Sequence, residues 1–299
     1  MARKLNKILL LILKLAVSSS LLYFVLSNAG VEKVVAIIKT INPLAFISVI
    51  FIYIASIYVS SIRWRLLLPE EFKGKRLFSF YLIGSFFNTF LPGIVGGDAV
   101  KTYYLYKETN KGSLSFASVF MDRYIGFISL MTIALISFAA GFKYVRGSLI
   151  EWLLPTIFLL FLIGSFAIFK LHLGKGIKAL SEFYGYFSEY RSQKMVIIKT
   201  LMLSCGIQVM AILSMYIIAR GLGQHIYLSY FFIFFPIIVT ISTLPISISG
   251  IGLREGAFVL LFGMAGVKPE MATAMSLAWF LSTASGGLAG LFEYLRLKT

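Results

Sequence analysis

The residues most able to do chemistry sit where charge is most costly. In "NTFLPGIVGGDAVKTYYLY" (88–106), Asp98 and Lys101 follow a proline and paired glycines inside an apolar region. In "STLPISISGIGLREGAFVL" (242–260), Arg254 and Glu255 follow a proline and two glycines, Gly250 and Gly252. A third pair, Asp122 and Arg123 in "SVFMDRYIGF", falls about ten residues into an apolar run, roughly 14 Å deep at helical rise. A charge placed in lipid costs about 2.5–3.5 kcal/mol on insertion scales, so each is a functional candidate. Proline stops a first half-helix, and glycine lets the chain turn or lets a ligand approach closely. A second half-helix then begins at depth, near Gly97 and Gly252, with free N–H groups and a positive dipole end that suit an anion. Lys101 and Arg254 lie in the first turn and add full charges, and a guanidinium can grip phosphate or carboxylate with two hydrogen bonds. Asp98, Glu255 and Asp122 can balance charge, hold water or bind an amino group. The candidate binding residues are therefore Arg254, Lys101, Asp98, Glu255, Asp122, Arg123, Gly97 and Gly252. Each has a plainer reading: Asp98 can cap its own helix, Arg254 and Glu255 can pair with Asp98 and Lys101 across the two tips, and Asp122 and Arg123 can bridge to a hairpin.

The surroundings of these residues define the class. The 299 residues are 59% hydrophobic and only 13% charged, half the charge of a soluble domain, and the apolar residues come in long runs, so the chain is a polytopic membrane protein. The net charge of +16 belongs to loops that meet anionic head groups, not to nucleic-acid binding. The lone Cys205 and the distant His172 and His225 offer no metal site, nucleophile or disulfide, and no cofactor is expected.

Six apolar runs are long enough to cross: 8–28, 43–67, 113–141, 148–170, 197–220 and 270–293. The first, behind a basic start, fits an uncleaved span better than a signal peptide. Two other regions consist of short pieces, 77–91 with 97–108 and 228–244 with 252–266. Each piece is too short to span alone and fits a re-entrant hairpin. With both regions as hairpins and the N-terminus inside, inner loops hold 18 Lys and Arg and outer loops hold 6, as the positive-inside rule requires. The expectation is one all-α membrane domain over 1–299: six spans, two re-entrant broken-helix hairpins entering from opposite faces, and both termini in the cytoplasm. Its halves are 1–141 with hairpin 77–108 and 148–299 with hairpin 228–266. Their matching tips form an inverted repeat, whose sites in transporters lie where half-helices meet.

Residues 31–41 and 173–190 read as helices on the interface or as connecting loops. Arg63, Trp64 and Arg65 read as an interfacial anchor, with head-group contact as the other possibility. Lys14 and Lys199 snorkel, Tyr103, Tyr104 and Tyr106 belong to the aromatic belt, and Gly286, Gly287 and Gly290 let the last span pack closely.

Taken together, "RWRLLL", "FFNTFLPGIVGGDAVKTYYL", "SVFMDRYIGF" and "LPISISGIGLREGAF" resemble the lysylphosphatidylglycerol synthase transmembrane-region family, over roughly residues 5 to 293. This is the flippase-like membrane domain of the multiple peptide resistance factor, which also occurs alone. The resemblance implies movement of an anionic or aminoacylated phospholipid between leaflets of the plasma membrane, with Asp98, Lys101, Asp122, Arg123, Arg254 and Glu255 as cavity residues. The chain stops at Thr299 without a soluble transferase domain, so a transporter rather than a synthase is expected. The expected cargo is a phospholipid or polyprenyl phosphate. Its partners are membrane lipids, with a homo-oligomer or a lipid-modifying enzyme possible. The rival readings are an intramembrane enzyme acting on lipid phosphates, with Asp122 or Glu255 as base, and a non-transporting membrane scaffold.

Overall fold

The computed structural model describes residues 2–68, 72–90, 96–170, 184–186, 193–244, 246–247 and 250–298. Every regular element among them is helical. The first half holds α1 (Ala2–Ala29), α2 (Val31–Lys39), α3 (Pro43–Arg65), α4 (Gly74–Phe90), α5 (Gly96–Thr109) and α6 (Gly112–Ala140). A short α7 (Phe142–Val145) leads to the second half: α8 (Ile150–Phe169), α9 (Lys194–Gly221), α10 (Leu228–Ser242), α11 (Leu253–Gly263) and α12 (Pro269–Lys298). Helices α3, α6, α8, α9 and α12 are long and apolar enough to cross a membrane. Helix α1 with α2, bent away by 80°, makes a sixth candidate span. The six apolar runs are thus all helices. Residues 31–41 resolve as helix rather than loop, with Val34 buried and Ile37 and Ile38 packed towards the last span. Of the stretch 173–190, only 184–186 lies within the described residues, as one helical turn.

Local chemistry places the boundaries. Asn42 accepts a hydrogen bond from the Leu44 N–H at 2.8 Å, and Pro43 follows at the first helical position of α3. Gly30, between α1 and α2, holds φ +78, a turn open to glycine at no steric cost. The breaks after α4 and α10 contain Pro92 and Pro245, which lie outside the described residues.

Both broken regions are antiparallel helical hairpins, as shown by which residues meet. Going forward along α5, Gly97 lies against Gly84 and Asn88, Lys101 against Tyr81, Tyr104 stacks on Phe80 at 5.3 Å, and Glu108 pairs with Arg76. Going forward along α11 from the turn, Gly250 lies against Ser242, Phe258 against Phe235, and Phe262 against Phe231 and Phe234. Each chain therefore returns towards the side from which it came. At 17, 14, 15 and 11 residues, none of the four arms reaches the 18 or so residues that a crossing needs.

The packing is reciprocal between the halves. Helix α3 packs on α9; α12 packs on α4, and α6 on α10. Likewise α12 packs on α3 and α6 on α9, α3 on α4 and α9 on α10, α5 on α6 and α11 on α12. Exchanging one half for the other maps the α3–α9 contact onto itself and turns each of the others into another observed contact. The outermost helices break the rule. Helix α1 lies against α11 and α12, whereas α8 does not approach α5 in the same way, and the space between them is a cavity.

Two apolar cores hold the hairpins in place. Phe231, Phe234, Phe235, Phe258 and Phe262 of the second hairpin are buried with Met215 and Met275. Trp64, Phe80 and Leu105 are buried beside the first. Lipid is as apolar as leucine, so close packing rather than burial from water has to join these helices. The glycines of the last span serve this: a side chain at Gly290 would collide with the Leu82 carbonyl of α4, and one at Gly286 with the Tyr53 ring of α3.

Candidate functional site

The site at the first hairpin draws on five helices. Asp122 and Arg123 are neighbours on α6, so their side chains point about 100° apart and serve different surroundings. Asp122 is fully buried. It accepts a hydrogen bond from Arg63 Nε on α3 at 2.8 Å and one from the Tyr81 hydroxyl on α4 at 2.9 Å. Arg63 also donates to Ser204 on α9 at 2.8 Å. Lys101 of α5 is buried between the two carboxylates, its Nζ 3.0 Å from Asp98 and 3.5 Å from Asp122. Neither Lys101 Nζ nor the Asp98 Oδ1 facing it has an aligned hydrogen bond, so that contact is Coulombic. The ammonium also sits 4.2 Å from the centre of the Tyr81 ring, a cation–π arrangement. Arg123 reaches back from α6 to Asp98, Nε to Oδ2 at 2.7 Å. Three cations and two carboxylates leave this cluster one positive charge in excess.

Arg123 differs from the rest. Half of its side-chain surface is open, because it faces a cavity of about 1080 Å3 between α5, α6 and α8. Asp98, Thr102 and Tyr106 present one stripe of α5 to this space; Phe116, Phe120 and Phe127 of α6 and Phe161 of α8 supply apolar walls. Arg63 and Tyr81 reach its inner end. The result is an apolar cleft with a cationic, hydrogen-bonding end. It can take an anionic group at Arg123 and a hydrocarbon along the phenylalanines.

The second hairpin is arranged otherwise. Arg254 donates to Glu255 Oε1 from Nε at 2.9 Å and from its terminal nitrogen at 2.6 Å. Ser276 of α12 donates to the same oxygen at 3.0 Å, and Glu255 Oε2 accepts the Gly252 N–H at 2.7 Å. The guanidinium lies 4.7 Å from the Phe280 ring centre. Arg254 and Glu255 are buried, and neither lines the large cavity. Gly252 has φ +84 and backs onto α1 at Ser18, Leu21 and Leu22.

The eight sequence candidates thus form two groups. Asp98, Lys101, Asp122 and Arg123 join directly, while Arg254 and Glu255 pair with each other and not across the tips with Asp98 and Lys101 as the plainer reading expected. Gly97 meets the α4 backbone at Gly84. Asp98 does not cap its helix: the Gly97 N–H is held by Asn88 at 2.9 Å, which frees Asp98 for Arg123 and Lys101. Arg63 and Trp64 are not interfacial anchors either. Both are buried, Arg63 by its ion pair with Asp122 and Trp64 by its core neighbours and the Ser118 hydroxyl. Tyr103 and Tyr106 line the cleft, and Tyr104 stacks on Phe80. Sequence reasoning missed Tyr81 and Ser204, which carry no local signal; only the α4 and α9 packing brings their hydroxyls to the charges.

Comparison with known proteins agrees with this architecture. UPF0104 membrane protein MJ1595 of Methanocaldococcus jannaschii is 23% identical over 313 residues, covering 92% of either chain. UPF0104 membrane protein PH1989 of Pyrococcus horikoshii is 27% identical over 139 residues, 44% of this chain and 40% of its own. The family described as "Lysylphosphatidylglycerol synthase TM region" matches residues 11–290, a span containing both hairpins and every charge just described. The chain belongs to the lysylphosphatidylglycerol synthase transmembrane-region family.

Proposed function

We propose that the protein moves a lipid with an anionic phosphate head group between leaflets of the plasma membrane, without altering it chemically. One observation carries the reading: Arg123, half open, stands at the end of a cleft walled mainly by aromatic and aliphatic side chains. A phosphate head would be held by Arg123 in competition with Asp98, while the tail follows Phe116, Phe120, Phe127 and Phe161. The excess positive charge of the cluster favours an anion there, and low surrounding polarity strengthens the attraction. An amino group on the head would find Asp98. Lys101 and Asp122, fully buried, would fix the site's geometry and charge without touching cargo.

The reciprocal packing of the halves supports an inverted repeat. Three spans and a returning hairpin make an odd number of crossings, which would turn the second half over relative to the first and leave both termini in the cytoplasm. Transporters built this way place their sites where broken helices meet.

The test is lipid transfer in proteoliposomes, read with head-labelled anionic phospholipid, for wild type beside Arg123→Gln. Transfer above protein-free vesicles by the wild type and its loss in the variant are expected. Equal transfer by both, at matched insertion, would sink the reading.

A further inference from the structure

The open end of the first hairpin, opposite its charged tip, holds a second cavity of about 630 Å3. Lys73 and Arg76 line it from the start of α4, and Glu108, Thr109 and Lys111 from the turn between α5 and α6. Phe72 and Leu114 supply its apolar side. Asn110 holds φ +53, a left-handed conformation that asparagine adopts more readily than most residues. The chain turns there, and Thr109 and Lys111 on either side of it both reach the cavity. Glu108 pairs with Arg76. Among the described residues no carboxylate pairs with Lys73 or Lys111. Three cations against one carboxylate leave the lining two positive charges in excess. Arg65, at the end of α3, adds another beside the opening: its guanidinium lies 3.5 Å from where a Cβ at Gly74 would sit. Lysines that only face water need no concave surface, whereas these converge on one from two separate stretches of chain.

We propose that this cavity binds a phosphate group, carried by an anionic lipid head group of the adjoining leaflet or by a soluble phosphate compound, and so ties the start of α4 to the α5–α6 turn. Basic pockets between helices at a membrane surface hold anionic head groups in this way. Lys73 and Lys111 would meet the phosphate as point charges, and Phe72 and Leu114 would face whatever the phosphate is attached to. The position of the site has a consequence for the cleft. Tyr106 and Gly112 line the cleft, while Thr109 and Lys111 between them line this cavity, so one turn borders both. Arg76 with Glu108, Phe80 with Tyr104, and Tyr81 with Lys101 form one ladder from this cavity to the charged tip. An anion bound here would steady the lip of the cleft and the arm that carries Asp98. That consequence rests on the transport reading given above; the binding does not.

Native mass spectrometry tests the site, with protein equilibrated in equal phosphatidylcholine and phosphatidylglycerol and then washed in detergent. An Arg123→Gln background removes the cation of the cleft, so that lipid held there does not count. In that background Lys73→Gln with Lys111→Gln should retain phosphatidylglycerol about tenfold less or weaker still, with an unchanged thermal midpoint. Lys194→Gln with Lys199→Gln, which removes equal charge from the start of α9, should retain it. Millimolar inorganic phosphate separates the two sources. If it displaces the retained lipid, or binds by calorimetry to the parent and not to the Lys73/Lys111 variant, the site takes soluble phosphates; lipid that stays in its presence assigns the site to the head group. Equal retention by the Lys73/Lys111 variant and its parent, equal loss in both charge-matched variants, or a parent that holds neither probe overturns the site. With Arg123 intact, emptying the cavity should slow lipid transfer in proteoliposomes about threefold or more. Equal transfer would overturn the link to the cleft. No transfer even by the wild type, beside binding lost in the Lys73/Lys111 variant, would overturn the transport reading and uphold this site.

Discussion

The two hairpin tips carry charges in matching places and use them differently. At the first tip the charges reach outward: Asp98 and Lys101 of α5 meet Asp122 and Arg123 of α6, and Arg63 and Tyr81 join from α3 and α4. At the second tip they turn inward, Arg254 on its neighbour Glu255, with Ser276 and a backbone N–H added among the described residues. The first network can spare Arg123 to a ligand because Asp98 keeps Lys101. The second has one cation for one carboxylate, and taking either away strands the other. Buried charges therefore report structure at one tip and leave a free valence at the other, and the difference lies in how many helices converge.

Removing the shared carboxylate should have the largest effect. Asp122→Ala leaves Arg63 and Lys101 without their common partner, and breaking a buried pair costs about 3–5 kcal/mol. Thermal unfolding in detergent should show a large fall in midpoint or no folded protein; an unchanged midpoint would refute the network. Next, identical substitutions separate the tips. Arg254→Gln strands buried Glu255 and should cost about 3 kcal/mol by the same argument. Arg123→Gln removes a half-open pair, worth at most about 1 kcal/mol, but should reduce lipid transfer tenfold or more, since a hydrogen bond to a charged group is worth about 1.5–3 kcal/mol. The reverse pattern would place the working site at the second tip. Packing comes next. Gly290→Val drives a side chain into the Leu82 carbonyl and should cost about 1–3 kcal/mol as overpacking, lowering the midpoint while leaving lipid selectivity unchanged. Smallest is Ser276→Ala, which removes one of several hydrogen bonds to Glu255, about 1 kcal/mol. A larger loss there would mean that the second tip leans on α12 more than its geometry implies.

Much of this architecture was legible beforehand. The six spans follow from apolar runs of membrane length, and the hairpins from arms too short to cross, joined at proline and glycine. Asp98, Lys101, Asp122 and Arg123 announced themselves because charge in lipid is rare. Arg63 was misread because its position at a span end also suits an anchor, and only the inward rotation of α3 buries it. Asp98 was open to reading as a cap because aspartate commonly caps helices; Asn88, ten residues earlier in the chain, takes the Gly97 N–H instead once the hairpin folds.

By itself the sequence determined what local physics controls: helix lengths, breaks, the cost of each buried charge, and the doubling of the tip motif. The tertiary structure decided which charge meets which, and that Arg123 faces a cleft while Arg254 is buried against Ser276 and Phe280 of α12. Pairing depends on how helices far apart in the chain rotate and approach, and no single stretch of residues encodes that. Two similar motifs accordingly became an open tip and a closed one, because α8 leaves space beside the first while α12 packs against the second.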